Sequence, residues 1–166
     1  MNKRLFAGIL SVFMTFAALA GCSSEQKPQG DSSPSSSPAE MASLSQELEW
    51  GTVTVSIPID SGYELSNEDG WKILSEDDTV ALGFNFLEGT SVYDSLYDQY
   101  KEAGFTQIKD EDINGNHFYG FTVEKRQQYA GKIGDAATLT AEAANGEELG
   151  DSALSVMKVE VKLNEE

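Results

Sequence analysis

Cysteine, histidine and basic side chains are the scarce residues of this 166-residue chain. Cys22 is the only cysteine, so no intramolecular disulfide and no multi-cysteine zinc site can form. His117 is the only histidine, which leaves a nucleophilic triad a single candidate for the base that takes and returns a proton near neutral pH. A glycine-rich phosphate loop and a His-x-x-x-His pair are both missing. Lysine and arginine number 11 against 28 acidic residues, a formal charge of -17. Such a field repels DNA, RNA and anionic head groups, so nucleic-acid binding is excluded as an expectation. A macromolecular partner would be basic or met through a local apolar patch, and plain solubility is the other use of the same charge.

What is present begins with the leader. Lys3 and Arg4 precede an apolar run from Leu5 to Ala20, shorter than the ~20 residues a membrane-spanning helix needs. The run ends in Leu19-Ala20-Gly21-Cys22, where small side chains before the cysteine suit a signal peptidase. This leader resembles the lipobox of bacterial lipoproteins. The resemblance implies removal of residues 1–21, cleavage between Gly21 and Cys22, and a diacylglycerol and an N-acyl chain on Cys22. One acyl chain holds a protein only marginally at ~0.8 kcal/mol per buried CH₂, whereas two or three moor it durably. The expected place is the extracytoplasmic side of a bacterial cell membrane, with the membrane itself as one partner. The alternative is a chance apolar leader followed by a structural cysteine. Losing Lys3 and Arg4 leaves 9 basic and 28 acidic side chains, a formal charge of -19. A lipidated Cys22 also removes the only thiolate, so the fold is held by packing.

Residues 22–45 read as a lipidated cysteine and a Ser/Pro-rich tether, with Pro28, Pro34 and Pro38 among Ser32, Ser33, Ser35, Ser36 and Ser37. Too little apolar surface is available there to offset the entropy of ordering. Stretched, residues 23–45 reach at most ~75 Å. Residues 46–166 then form one domain of ordinary size.

Within it, Val53, Val55, Ile57 and Ile59 alternate with polar residues as a strand does, and Pro58 belongs at a strand end or a sheet edge. Residues 71–74 and 79–87 read as two further strands, after a turn region around Gly62 and residues 67–70. A helix starts at Ser91 as N-cap with Asp94 behind it. It carries the stripe Tyr93, Leu96, Tyr97, Tyr100, Ala103, and ends at Gly104-Phe105. Residues 105–113 and 116–125 form a hairpin about Asn114-Gly115, with Tyr119, Phe121 and Val123 on one face. Residues 136–143 suit a strand, though their alanines suit a helix as well. A short helix from near Asp151 carries Leu149, Ala153, Val156 and Met157 along its apolar side, and Val159, Val161 and Leu163 mark a last strand.

The order of these elements, with Gly89-Thr90-Ser91, Ala103-Gly104, Asn114-Gly115, Asn145-Gly146-Glu147-Glu148, Ala153-Leu154 and Met157-Lys158, resembles PsbP-like domains. That resemblance implies an α+β fold, a mainly antiparallel β-sheet flanked by helices as an α/β/α sandwich. It also implies proteins that mostly bind or assist a partner without doing chemistry.

Three sets of residues are candidates for function. His117, just after the hairpin turn, either serves as a general base or decorates a strand. Asp110-x-Asp112-x-Asn114-Gly115-Asn116 matches the first half of an EF-hand calcium loop, with oxygens at positions one, three, five and seven and glycine at six. Position twelve is Phe121 where a bidentate Glu belongs, and Glu124 is the nearby acid left to replace it; an acidic strand end plus an Asn-Gly turn accounts for the same residues. Third, Trp50, Trp71, Tyr93, Tyr97, Tyr100, Phe118, Tyr119 and Tyr129 divide between core and surface, and tyrosines left outside would receive a peptide, glycan or membrane protein. The expected function is a non-enzymatic accessory or protein-binding module of the cell envelope, with no cofactor beyond the covalent lipid. A small-ligand or calcium-binding lipoprotein and a cell-envelope enzyme are the alternatives.

Overall fold

A computed structural model describes residues 39–164. The expected signal peptide of residues 1–21, the expected cleavage between Gly21 and Cys22, the expected lipidation of Cys22 and the expected tether as far as residue 38 lie outside the described residues. Among the described residues, β1 (Met41–Leu48), β2 (Gly51–Pro58), β3 (Tyr63–Ser66), β4 (Trp71–Ser75) and β5 (Val80–Glu88) lead into α1 (Ser91–Glu102). Then come β6 (Thr106–Ile113), β7 (Asn116–Val123), β8 (Arg126–Ile133), β9 (Ala137–Ala143), α2 (Glu147–Val156) and β10 (Lys158–Leu163). The strands make a three-stranded sheet in the order β1-β2-β10 and a seven-stranded sheet in the order β3-β4-β5-β9-β8-β7-β6. Every pairing in them is antiparallel. The fold is therefore α+β and mainly antiparallel, as expected.

The fold starts before the boundary set at residue 46, because Met41 to Ser45 belong to β1 and not to a tether. Ala42, Leu44 and Leu48 pack on the core. The serines between them work as strand residues: Ser43 Oγ meets Ser56 Oγ at 2.7 Å and Ser45 Oγ meets Thr54 Oγ1 at 2.8 Å. In β2, Val53, Val55 and Ile57 are buried on one side. Pro58 closes that strand, which is central in its sheet, so the missing N–H costs no interior ladder bond. Ile59 falls outside it and is 56% exposed.

Besides β1, two strands went unread in the sequence. β3 lies in the stretch taken as a turn region, pairing Leu65 with Ile73. β8 carries Gln127, Gln128 and Gly131, and its pattern makes sense only across the sheet. Phe118 of β7 lies against Gly131 of β8, and Tyr129 of β8 lies against Gly120 of β7. A Cβ on Gly120 would come within 2.7 Å of the Tyr129 ring, so glycine here makes room for the aromatic of the next strand. Residues 137–143 are a strand, with Ala137, Leu139, Ala141 and Ala143 in the core. Their small size serves α2, whose Gly150 comes too close to Ala143 for any side chain between them. That helix begins at Glu147, not near Asp151, because Gly146 at φ 119° turns the chain and Glu147 and Glu148 suit a helix N-terminus.

Successive residues of β7 serve two cores. Phe118 joins Val53, Ile57, Trp71, Leu139, Leu154 and their neighbours in the larger one. Tyr119 and Phe121, with Ala130 of β8, form the smaller one beneath Tyr93, Leu96, Tyr97, Tyr100 and Phe105.

Candidate functional site

The site forms where α1 lies on the seven-stranded sheet. The N-cap of α1 is Thr90, one residue before the expected Ser91, and no side chain caps it. Its far end follows the expected pattern. Gly104 sits at φ 73°, its N–H reaches Lys101 O at 3.1 Å, and the Phe105 N–H reaches Tyr100 O at 3.1 Å. These two bonds make a Schellman stop, and its hydrophobic contact is present, with the Phe105 and Tyr100 rings 5.9 Å apart.

The stripe on α1 meets the Tyr119–Phe121 face of β7 ring to ring. Centroids lie 4.8 Å apart for Tyr93 and Tyr119, 5.1 Å for Tyr97 and Tyr119, and 5.4 Å for Tyr100 and Phe121. Each such pair adds about 0.5–1.5 kcal/mol beyond the area it buries. The phenol tips find partners as they desolvate. Tyr119 Oη donates to Tyr93 O at 2.6 Å and Tyr100 Oη donates to Gln128 Oε1 at 2.5 Å.

Tyr93 reaches the histidine. Tyr93 Oη lies 2.6 Å from His117 Nδ1, and His117 Nε2 lies 3.2 Å from Asp110 Oδ1. With the neutral ring protonated at Nε2, the phenol donates to Nδ1 and Nε2–H donates to the carboxylate; with the ring charged, both nitrogens donate. Gln107 Nε2 holds the other oxygen of Asp110 at 2.8 Å. Burial, then the charges of Asp110 and Asp94, push the Tyr93 phenol up to about 12. Burial and the Glu142 charge raise Tyr100, and burial raises Tyr119. These phenols are neutral donors at physiological pH.

Around this chain opens a cleft of about 380 Å³ lined by Tyr93, Asp94, Tyr97, Asp98, Asp110 and His117. A larger hollow of about 500 Å³ lies between the turns at residues 61–63 and 75–79; Ser75, Asp77 and Thr79 there bond one another, while the buried Ser61 Oγ has no hydrogen-bond partner among the described residues. There Asp77 Oδ1 accepts from Ser75 Oγ at 2.5 Å and from Thr79 N–H at 3.3 Å, bonds that hold the carboxyl below its ordinary range. The smaller cleft keeps Asp94 and Asp98 exposed and offers ring surface beside them.

The calcium-loop residues are not gathered into one shell. β6 runs straight to Ile113 and the turn is two residues, Asn114 at φ 49° and Gly115 at φ 87°, the type I′ geometry expected of Asn-Gly. Asp110 bonds His117, while Asp112 stands opposite His117 in the strand register. Asn114 Nδ2 donates to Ser155 O at 3.2 Å and to Met157 O at 2.8 Å, pinning the hairpin tip to the end of α2. Asn116 Oδ1 accepts from Gly134 N–H at 3.3 Å. Phe121 is buried in the aromatic layer, and Glu124 occupies the β7–β8 turn at φ 49°. Among the described residues no three His, Cys, Asp or Glu side chains gather in a way that would hold a metal ion.

Of the eight aromatics, Trp71, Phe118, Tyr119 and Tyr129 are buried, and Trp50, Tyr93, Tyr97 and Tyr100 are half-buried. Asp94 was read only as a helix-start acid, and Asp98 was not singled out. The readable mark was there: Tyr93-Asp94 and Tyr97-Asp98 repeat one helical turn apart, so rings and carboxylates share neighbouring strips of α1. The chain matches no family model, no curated protein and no solved structure. Among the described residues no helix is long and apolar enough to cross a membrane.

Proposed function

We propose that this protein is a lipid-anchored extracytoplasmic module of the bacterial envelope that holds a partner in the α1 cleft and turns over no substrate. The observation that carries the reading is the Asp110–His117–Tyr93 chain with its raised phenol. A tyrosine used as a nucleophile needs its proton loosened, and here burial and the charges of Asp110, Asp94 and Asp112 tighten it. The chain therefore fixes rings and charges in place, which is what a binding surface needs. Anchoring rests on the leader ending at Cys22. A PsbP-like architecture is part of the same reading, supported by an antiparallel sheet with α1 on one face and α2 packed toward the other.

Two measurements test it. Fatty-acid labelling in cells is expected to mark the wild type and to miss Cys22→Ser; an unmarked wild type removes the anchor. A photo-crosslinking residue at Asp98 is expected to join the protein to one envelope component, and the same residue at Glu64 on β3 to give none. Equal capture at both positions removes the cleft as the binding face.

A further inference from the structure

We infer that the cleft between α1 and β6–β7 takes a basic side chain of a partner polypeptide, arginine in preference to lysine. This rests on reading the cleft as a binding face. The walls are the Tyr93 and Tyr97 rings, which meet Tyr119 below at interplanar angles of 52° and 68° and are so held at a fixed angle. The rim is Asp94 and Asp98 on α1 and Asp110 on β6. A flat cation that stacks on a phenol ring and forks to carboxylates fits such a frame, and a guanidinium does both where an ammonium does only the second well. The Tyr97 ring already takes a cation from the chain itself, since Lys101 Nζ lies 5.2 Å from its centroid. At about 380 Å³ the cleft has room for an arginine side chain projected inward by a polypeptide. The acidity of the whole chain, -17 in formal charge, brings a basic partner toward it, and the cleft supplies the ring geometry that bulk charge lacks.

The test uses the full chain in detergent micelles with fluorinated tyrosine, which gives one resonance for each of the six tyrosines. Blocked Gly-Arg-Gly is added, with blocked Gly-Lys-Gly, blocked Gly-Gln-Gly and spermidine as separate arms. The arginine peptide is expected to move Tyr93 and Tyr97 and to leave Tyr63 and Tyr129 still, with the lysine peptide weaker and the glutamine peptide silent. Tyr97→Leu is expected to weaken the arginine response about threefold to tenfold through loss of the ring face. Asp98→Asn, on an exposed position that folding does not need, is expected to weaken it about twofold to fivefold, against no change for Glu64→Gln. Equal movement of Tyr63, an equal response to Gly-Gln-Gly, or a response to spermidine alone overturns the inference. So does a silent titration in a protein that still cross-links through Asp98, an outcome that leaves partner binding standing and removes only the basic side chain as its ligand.

Discussion

The two faces of the seven-stranded sheet are built on opposite plans. One is closed by α2 and the three-stranded sheet over aliphatic and aromatic side chains that are almost fully shielded from water. The other is closed by α1 alone over rings whose oxygens bond a backbone carbonyl, a neighbouring amide or the His117 ring. The same strands serve both, with Phe118 turned one way and Tyr119 the other. The difference shows where stability and recognition separate: a sealed face gains most from burial, while a tyrosine layer gives up some of it to keep polar edges usable.

The sharpest break of that contrast is a pair of truncations. Phe118→Ala is expected to cost about 3–5 kcal/mol in denaturant unfolding, and Tyr97→Ala clearly less, since its ring is already half wet. Equal losses would make the two faces alike.

A smaller effect lies where the sealed face meets charge. Lys109, only 10% exposed, bridges Glu111 at 2.6 Å and Asp151 at 3.2 Å. Burial alone lowers the ammonium's affinity for its proton, but the hydrogen bonds to Glu111 and Asp151 outweigh it and the group is shifted upward. Lys109→Met is expected to cost about 1–3 kcal/mol by stranding the carboxylates, with unfolding by denaturant as the readout.

The tyrosine face has its own signature in alkali. Tyr93 holds its proton up to about 12 when folded, against 10.0 when unfolded, so the native state binds that proton more tightly. Its contribution to stability is complete below pH 10.0 and is lost as pH rises through about 12. Thermal melts across that window should fall with pH, and Tyr93→Phe should fall less steeply. Ionisation of Tyr93 near its ordinary value in the folded protein, read by absorbance at 295 nm, would contradict the desolvated chain.

The smallest expected change is on the rim. Arg126 Nη1 meets Glu142 Oε1 at 2.7 Å, but the arginine side chain is 61% exposed. Arg126→Ala should therefore cost less than ~1 kcal/mol, and less again in added salt.

The elements readable from sequence were those whose pattern is local. The stripe and stop of α1, the Asn114-Gly115 turn, the alternation of Val53, Val55 and Ile57, and that of Val159 and Val161 each state their structure within a few residues. β1 was missed because serine reads as tether until Ser56 and Thr54 stand opposite it. β8 was missed because Gly131 and Tyr129 have meaning only against Phe118 and Gly120 of the strand beside them. Residues 137–143 stayed ambiguous because alanine suits both states, and the close approach of Gly150 is what gives small residues their purpose there. The site was half legible. His117 and Asp110 were both singled out, but separately and for other chemistry: the expected hairpin sets β6 beside β7, yet nothing in the spacing tells that His117 reaches past its register partner Asp112 to Asp110 or that α1 brings Tyr93 onto it.

The acids once counted as calcium ligands have another consequence, at the sheet's margin. β6 is an outermost strand, and along it run Lys109, Asp110, Glu111 and Asp112, just past an irregularity in its pairing between Gln107 and Lys109. A strand of eight residues with one edge unpaired is a template onto which a second copy could zip, and four charges in succession guard that edge. Neutralising Asp110, Glu111 and Asp112 together would turn a guarded border into an adhesive one, and the first sign would be clumping of intact, folded protein.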